Sequence, residues 1–330
     1  MVEVPVEPAS ELRNSGTLRI GSRVSAYEVE ELLGTGGMGA VYRARHLLDD
    51  RVVALKVLRE DQLEQERAVD RMMREASILA TVAHGGIPRF YECGLLGDGR
   101  PWIAMELVQG TPLAVRLHEG TLPPSEVMDV VGAVAGVLAA AHQRGVTHRD
   151  LKPDNILLVP DDPVYALRVI DWGIAHAVAG ARYTSMNEAI GTPTYMAPEQ
   201  ARGGPTDGHC DVYGLGIVAY QALTGRAPFV GNTAVEILVQ HINRPIPALA
   251  PRCPDAPLGL IELVERMLIK SYDERPSAAD VRIAVDHLRD DHRPAYQASD
   301  ATGPVPREEL ETERTAPTLH LRGSPDPRAL

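Results

Sequence analysis

Aromatic side chains are scarce in this chain: two Phe, two Trp and ten Tyr among 330 residues, 4% in all. A core with so few of them must be filled by Val, Leu, Ile and Ala. The 44% apolar content supplies enough for one large or two moderate domains. Cysteine is scarce too. Cys93, Cys210 and Cys253 are odd in number and widely spaced, which excludes a disulfide framework or a cysteine zinc site and suits a reducing cytoplasm. There is no surplus of positive charge. Lys and Arg number 33 against 45 Asp and Glu, a net charge of -12, which argues against a general nucleic-acid-binding face and leaves no nucleic-acid partner expected. Long apolar runs are missing as well. The uncharged stretches 130–142 and 212–225 fall short of the roughly 18 to 20 residues that span a bilayer, so no membrane span is expected. The acidic, Pro-containing stretch Met1 to Ser10 does not read as a signal peptide. No internal repeat is visible.

What is present divides into unequal parts. Residues 1–26 show no periodic pattern and read as a flexible leader. From Tyr27 to Leu58 the chain alternates strand and turn: Tyr27 to Leu33, a glycine cluster, Ala40 to Ala44, the turn Leu48 to Arg51, and the apolar strand Val52 to Leu58. Asp61 to Val82 lacks Pro and Gly and reads as a helix, and two short strands follow at 89–95 and 101–106. Beyond Gly110 the spacing turns helical. Val127, Val130, Val134, Val137, Leu138 and Ala141 share one face of a helix over 125–144, with Ser125 as the expected N-cap and Gly145 as the stop. Further helices are expected at 210–223, 232–243, 257–270 and 277–290. The fold class is therefore α+β and two-lobed: a small antiparallel-sheet lobe over 27–106 with one main helix, then a larger helical lobe over 111–290. Residues 291–330 are Pro-rich and charged with little to bury, and read as a disordered tail.

The chemistry concentrates in His148-Arg149-Asp150-Leu151-Lys152-Pro153-Asp154-Asn155, followed by Asp171-Trp172-Gly173 at the end of an apolar run. Asp150 alone could be a turn residue. With Lys152 two residues on and Asn155 five on, a general base, a phosphate-binding cation and a magnesium ligand become the better reading, and Asp171 adds a second oxygen donor of the type magnesium prefers. Gly34-Thr35-Gly36-Gly37-Met38-Gly39 matches G-x-G-x-x-G. By itself the motif fits a glycine hairpin as well as a phosphate cover, and the strand that follows it excludes a dinucleotide fingerprint. Lys56 lies inside an apolar strand, where an unpaired charge is costly. Glu75 is the helix residue expected to pair with it.

These motifs in this order resemble the eukaryotic-like serine/threonine protein kinases, bacterial members above all. The resemblance includes Gly36-Gly37-Met38-Gly39-Ala40-Val41-Tyr42 and Gly191-Thr192-Pro193-Thr194-Tyr195-Met196-Ala197-Pro198-Glu199 and covers roughly residues 27–290. It implies ATP and Mg2+ or Mn2+ as cofactors. Gly34, Gly36, Gly37 and Gly39 would cover the phosphates, and Lys56 would contact them. Val41, Ala54 and Leu157 would sandwich adenine, Met105 would be the gatekeeper, and Glu106 to Val108 the hinge. Asp150 would take the substrate hydroxyl proton, Lys152 would neutralise the transferred phosphate, and Thr192 would brace both. Asn155 and Asp171 would hold metal. Glu199 and Arg275 would form a structural ion pair, and Asp211 would support the catalytic loop. Leu79, Phe90, His148 and Trp172 resemble an apolar spine joining the lobes. Arg149 would receive a phosphate on Thr184 or Ser185, or else meet a carboxylate such as Glu188.

The sequence departs from the family pattern at Trp172, usually Phe, at Thr147, usually apolar, and at Gly214, often Ser. None removes a catalytic group. The implied activity is phosphoryl transfer to Ser/Thr of proteins, with autophosphorylation in the activation segment, a cytoplasmic location, phosphothreonine-binding partners and a transient homodimer. A pseudokinase scaffold that binds nucleotide is the alternative. A small-molecule kinase is disfavoured by Thr192 with Pro198-Glu199, a segment that builds a peptide platform.

Overall fold

The computed structural model describes residues 17–36, 39–59, 66–162, 166–172, 193–204 and 206–291, with backbone alone for 66–72. The expectations for Gly37, Thr184, Ser185, Thr192, residues 1–16 and the tail from 292 lie outside them.

The first lobe is one antiparallel sheet. Its strands are β1 (Arg23–Val24), β2 (Tyr27–Gly36), β3 (Gly39–His46), β4 (Val52–Leu58), β5 (Phe90–Leu95) and β6 (Pro101–Glu106), in the spatial order β1-β2-β3-β4-β6-β5. Alternation places Val29, Tyr42, Ala44, Val53, Leu55, Val57, Trp102 and Ala104 in one apolar cluster, where Tyr42 and Trp102 do most of the filling. β1 corrects part of the leader expectation. Val24 is 2% exposed and pairs with Tyr27 across a turn, and the Leu18 N–H donates to the Tyr42 hydroxyl at 2.8 Å. Residues 17–26 are therefore an extension of the sheet. Their pattern is too short for periodicity to reveal, because a two-residue strand has no alternation to read.

Helix α1 (Glu66–Leu79) crosses behind this sheet and contacts β5. After β6 the chain enters the second lobe through β7 (Thr111–Pro112), α2 (Leu113–His118) and α3 (Pro124–His142). Pro124 stands at the first helical position and Pro123 is the N-cap residue, so Ser125 lies inside the helix and does not cap it. Helix α3 is long and apolar enough in composition to cross a membrane. Here, however, Val127, Val131, Val134, Val137, Leu138 and Ala141 are buried in the core.

Strands β8 (Ile156–Leu158) and β9 (Leu167–Val169) complete a three-stranded sheet with β7 in the order β7-β8-β9. Next come α4 (Pro198–Ala201), α5 (Gly208–Thr224), α6 (Ala234–Asn243), α7 (Leu258–Met267) and α8 (Ala278–Asp291).

Helix α5 is the axis of the larger lobe. Thirteen of its residues are buried, including Tyr213 and Tyr220. Asp207 caps its start by accepting the His209 N–H, and Gly225 ends it in the left-handed region, φ 76°. Gly214 and Gly216 permit close neighbours. A Cβ on Gly214 would sit 3.3 Å from the Leu151 carbonyl, and one on Gly216 would sit 2.9 Å from the Leu268 side chain. The loop that carries Asp150 thus lies directly on a helix with thirteen buried residues.

Candidate functional site

The loop from His148 to Asn155 is held from below by Asp211, which is 1% exposed. Its Oδ2 accepts the His148 N–H at 2.7 Å and contacts His142 Nε2 at 2.8 Å, while its Oδ1 accepts the Arg149 N–H at 2.7 Å. Burial by itself would raise the Asp211 pKa. The bond and charge from His142, with the contribution of His148, outweigh that and hold it below the ordinary carboxylate value. His142 is a functional neighbour that sequence reasoning missed. Its signal is its place at the C-terminal end of α3, six residues before His148.

His148 is fully buried and bonded at both ring nitrogens. Nε2 lies 2.9 Å from the Ile170 carbonyl, so it carries the proton, and Nδ1 accepts the Asp150 N–H at 3.3 Å. Arg149 adopts φ 67°, a left-handed conformation that costs a residue with a side chain on the order of 1–3 kcal/mol unless the surroundings enforce it. Here they do. Asp211 holds the Arg149 N–H, and Gln200 Nε2 donates to its carbonyl at 2.8 Å.

The side chains of Asp150, Lys152 and Asn155 meet above this support. Lys152 Nζ donates to Asp150 Oδ2 at 2.9 Å. Asn155 Nδ2 donates to the Asp150 carbonyl at 2.8 Å and lies 3.4 Å from Oδ2. The Ile170 N–H donates to the Asn155 carbonyl at 2.9 Å, which fastens the loop to the stretch carrying Asp171. Asp171 also adopts a left-handed conformation, φ 56°. Its carboxyl is held below the usual range, chiefly by the charge of Lys56, whose Nζ lies 3.1 Å from Oδ1.

This geometry corrects one expectation. Glu75 does not pair with Lys56. Both of its carboxylate oxygens accept from Arg149 Nη1 at 3.2 Å, and Lys56 is paired with Asp171 instead. Two anions and two cations are matched crosswise relative to the expected pairing. Arg149 does meet a carboxylate, that of Glu75; Glu188 lies outside the described residues.

The other sequence-derived residues fall as follows. Gly39 faces the Val57 backbone so closely that a Cβ would collide with the carbonyl, whereas a Cβ on Gly34 or Gly36 would meet nothing within 4 Å. The first glycine serves the sheet; the other two leave open space. Val41 pairs with Lys56 across β3 and β4, and Ala54 pairs with Met105 across β4 and β6. Ala54 and Leu157 are buried, and Met105 is partly buried against the main core. Glu106 donates its N–H to the Arg89 carbonyl at 2.8 Å and accepts the Arg89 N–H at 3.1 Å. Val108 follows in the connection to β7.

Trp172 is 3% exposed. Its ring centroid lies 5.0 Å from that of His148, and its Nε1–H donates to the Val169 carbonyl at 2.9 Å. Leu79 and Phe90 belong to the same apolar cluster. Glu199 and Arg275 form a bidentate pair at 2.6 and 2.7 Å, and Arg275 donates further to the carbonyls of Ile269, His209 and Lys270.

The donor set suits a nucleotide with a divalent ion. Asp171 supplies an ionised carboxylate. With its nitrogen engaged on Asp150, Asn155 has an amide oxygen to offer. A hard cation that brings phosphate oxygens of its own needs little more from the protein. The space left at Gly34 and Gly36 fits a backbone cover over phosphates. Among the described residues no group of three or more His, Cys, Asp or Glu could hold a metal ion.

Comparison with known proteins gives one consistent picture. The family model described as "Protein kinase domain" matches residues 27–285. Serine/threonine-protein kinase pkn3 of Myxococcus xanthus is 40% identical over 263 residues, covering 77% of this chain and 48% of its own length. PrkC of Bacillus subtilis is 36% identical over 259 residues, covering 78% and 39%. PknA of Mycobacterium tuberculosis is 38% identical over 259 residues, covering 77% and 59%. The chain thus spans about half the length of the curated relatives it matches. Among solved structures, a Mycobacterium tuberculosis PknI kinase domain superposes with a TM-score of 0.66 at 28% identity, covering 83% of this chain and 100% of that one. The two-lobed α+β architecture expected from the sequence is the one these structures share.

Proposed function

Since the chain belongs to the protein kinase family, we propose that it transfers the γ-phosphate of ATP to Ser or Thr of protein substrates, and that its own activation segment is among them. The observation that carries this reading is the hydrogen-bonded cluster of Asp150, Lys152 and Asn155, seated on Asp211 and facing Asp171. Asp150 accepts the proton of the attacking hydroxyl. Lys152, already beside that carboxylate, offsets charge on the transferred phosphoryl group. Lys56 orients the remaining phosphates, and the open space at Gly34 and Gly36 lets the turn approach them closely. By resemblance to the family, Thr192, outside the described residues, would brace the loop. The family uses ATP with a divalent metal; Asn155 and Asp171 would hold it, Mg2+ or Mn2+, and when bound it neutralises phosphate charge and fixes the phosphate geometry.

The crossed ion pairs support a regulatory reading of the same site. Arg149 is occupied by Glu75, and Asp171 by Lys56. A phosphate on Thr184 or Ser185, at about -1.5 to -2 charge, competes with Glu75 for Arg149. Glu75 then becomes free for Lys56, and Asp171 for metal. Phosphorylation by a second copy in a transient homodimer, phosphothreonine-binding partners and a cytoplasmic location belong to this reading.

Purified protein incubated with labelled ATP, with and without chelator, tests it. Incorporation into the protein and into a generic substrate, lost with chelator, is the expected result. Nucleotide binding without transfer under either metal would favour the scaffold alternative.

A further inference from the structure

The kinase reading assigns no role to Gln200, the third residue of α4. Its side chain is 5% exposed, and both ends of its amide are used. Oε1 accepts the N–H of Ala197, the residue before the helix, at 3.0 Å. Nε2 donates to the Arg149 carbonyl, 51 residues away, at 2.8 Å.

That carbonyl belongs to the peptide unit joining Arg149 to Asp150. The other polar end of the same unit, the Asp150 N–H, donates to His148 Nδ1. The plane of this peptide decides where the Asp150 carboxylate points, because Asp150 Cα is its far corner. It also borders a residue in a left-handed conformation, so it gains strain relief by rotating. The bond from Gln200 opposes that rotation. Gln200 itself is on firm ground: the preceding residue, Glu199, is locked to Arg275.

We propose that Gln200 is a positioning residue for phosphoryl transfer, clamping the Arg149–Asp150 peptide so that the Asp150 carboxylate meets the substrate hydroxyl. The inference rests on the kinase reading above. It also makes the segment ending in α4 a direct mechanical partner of the base: docking that segment fixes Ala197 and the Arg149 carbonyl through one amide.

A helix-capping role alone needs only the acceptor of Gln200. The clamp needs the donor. Gln200→Glu separates the two, since a carboxylate still accepts the Ala197 N–H, as glutamate does at this helical position in capping boxes, but has no proton for the Arg149 carbonyl. Gln200→Leu removes both. Single-turnover phosphorylation of a generic peptide, KM for ATP and thermal melting are measured for both variants beside the wild type. Both should lose kcat by about 10- to 100-fold, the range a small misplacement of a reacting group produces. KM for ATP should stay within about twofold, while the buried carboxylate of Gln200→Glu, set against the Arg149 carbonyl, should lower its melting temperature.

A Gln200→Glu enzyme with wild-type kcat would overturn the proposal and leave Gln200 a helix cap. So would a KM for ATP that rises as far as kcat falls, which would point to a general distortion of the site. Should Gln200→Leu fail to fold, Gln200→Glu decides. A wild-type protein that transfers no phosphate overturns the kinase reading as well, which distinguishes that failure from loss of the clamp alone.

Discussion

Replacing Arg275 should unfold the larger lobe well before replacing Glu199 does, although the two form one ion pair. The pair is deeply buried, with side-chain exposures of 0% for Arg275 and 9% for Glu199. Beyond Glu199, the Arg275 guanidinium serves three carbonyls, from Ile269 at 2.6 Å, His209 at 3.0 Å and Lys270 at 3.1 Å, and it lies 4.9 Å from the Tyr213 ring centroid. Arg275→Met therefore strands a carboxylate and three carbonyls at once. Losing one partner of a buried pair costs about 3–5 kcal/mol. At about 2–4 °C per kcal/mol for a domain of this size, Tm should fall by roughly 6–20 °C. Glu199→Gln keeps an acceptor oxygen for the guanidinium and leaves the three carbonyl bonds in place. It leaves the buried guanidinium without a counter-charge but with most of its bonds, so its cost should exceed the ~1.5–3 kcal/mol of one hydrogen bond to a charged group yet stay below that of Arg275→Met. Glu199→Leu combined with Arg275→Met should recover part of the loss, because no charge is then left unpaired. Thermal melts of the three variants at one pH and salt concentration decide the matter. Equal losses from the two single substitutions, or a double variant no more stable than Arg275→Met alone, would refute the asymmetry.

Asp150→Asn and Lys56→Met should each abolish phosphotransfer while leaving melting temperature near wild type, since neither side chain fills core volume; isothermal titration should show Asp150→Asn still binding nucleotide. Glu75→Gln should weaken the hold on Arg149 and shorten any activation lag of dephosphorylated protein, measured as product against time, yet lower the final rate because Lys56 then lacks its later partner. His241 is fully buried, and its pKa is held down at about 4 by burial and by the nearby Lys270 charge. The unfolded chain binds this proton below the ordinary value of 6.5 and the folded one does not until about 4. Stability is therefore full above pH 6.5 and declines as pH falls towards 4, by about 3 kcal/mol across the window. Urea unfolding at pH 7.5 and 4.5 should show that loss for the wild type and a smaller one for His241→Gln; identical losses would remove His241 from the account.

The residues whose chemistry depends on local spacing were legible before any coordinates. Asp150, Lys152 and Asn155 sit within one short loop, and their types and separations already suggest they act together; the structure brings them into one hydrogen-bonded cluster. Asp211 and the Glu199–Arg275 pair were legible only through resemblance, because nothing in their own neighbourhoods signals a partner 60 to 80 residues distant. The Glu75 expectation failed for a related reason. The sequence supplies two anions, Glu75 and Asp171, and two cations, Lys56 and Arg149, but charge type cannot say which cation each anion takes. That choice belongs to the positions of α1 and the catalytic loop, which have to be folded before it exists. Gln200 and His142 escaped because a neutral amide and a lone histidine carry no pattern until their partners are beside them. β1 escaped because two residues make no period.

Trp172 has a further consequence, for ligand discrimination. Its indole N–H is tied to the Val169 carbonyl, and its ring lies against buried His148. A phenylalanine could supply the ring contact but not the bond. Any inhibitor that occupies the space of this side chain must first displace it, breaking a buried hydrogen bond worth about 0.5–1.5 kcal/mol and leaving the Val169 carbonyl dry, at about 1–3 kcal/mol. Compounds that leave Trp172 seated face no such cost. The substitution thus works as a chemical filter. Small-molecule libraries screened against this protein should return compounds that compete with nucleotide alone and few that need the tryptophan expelled.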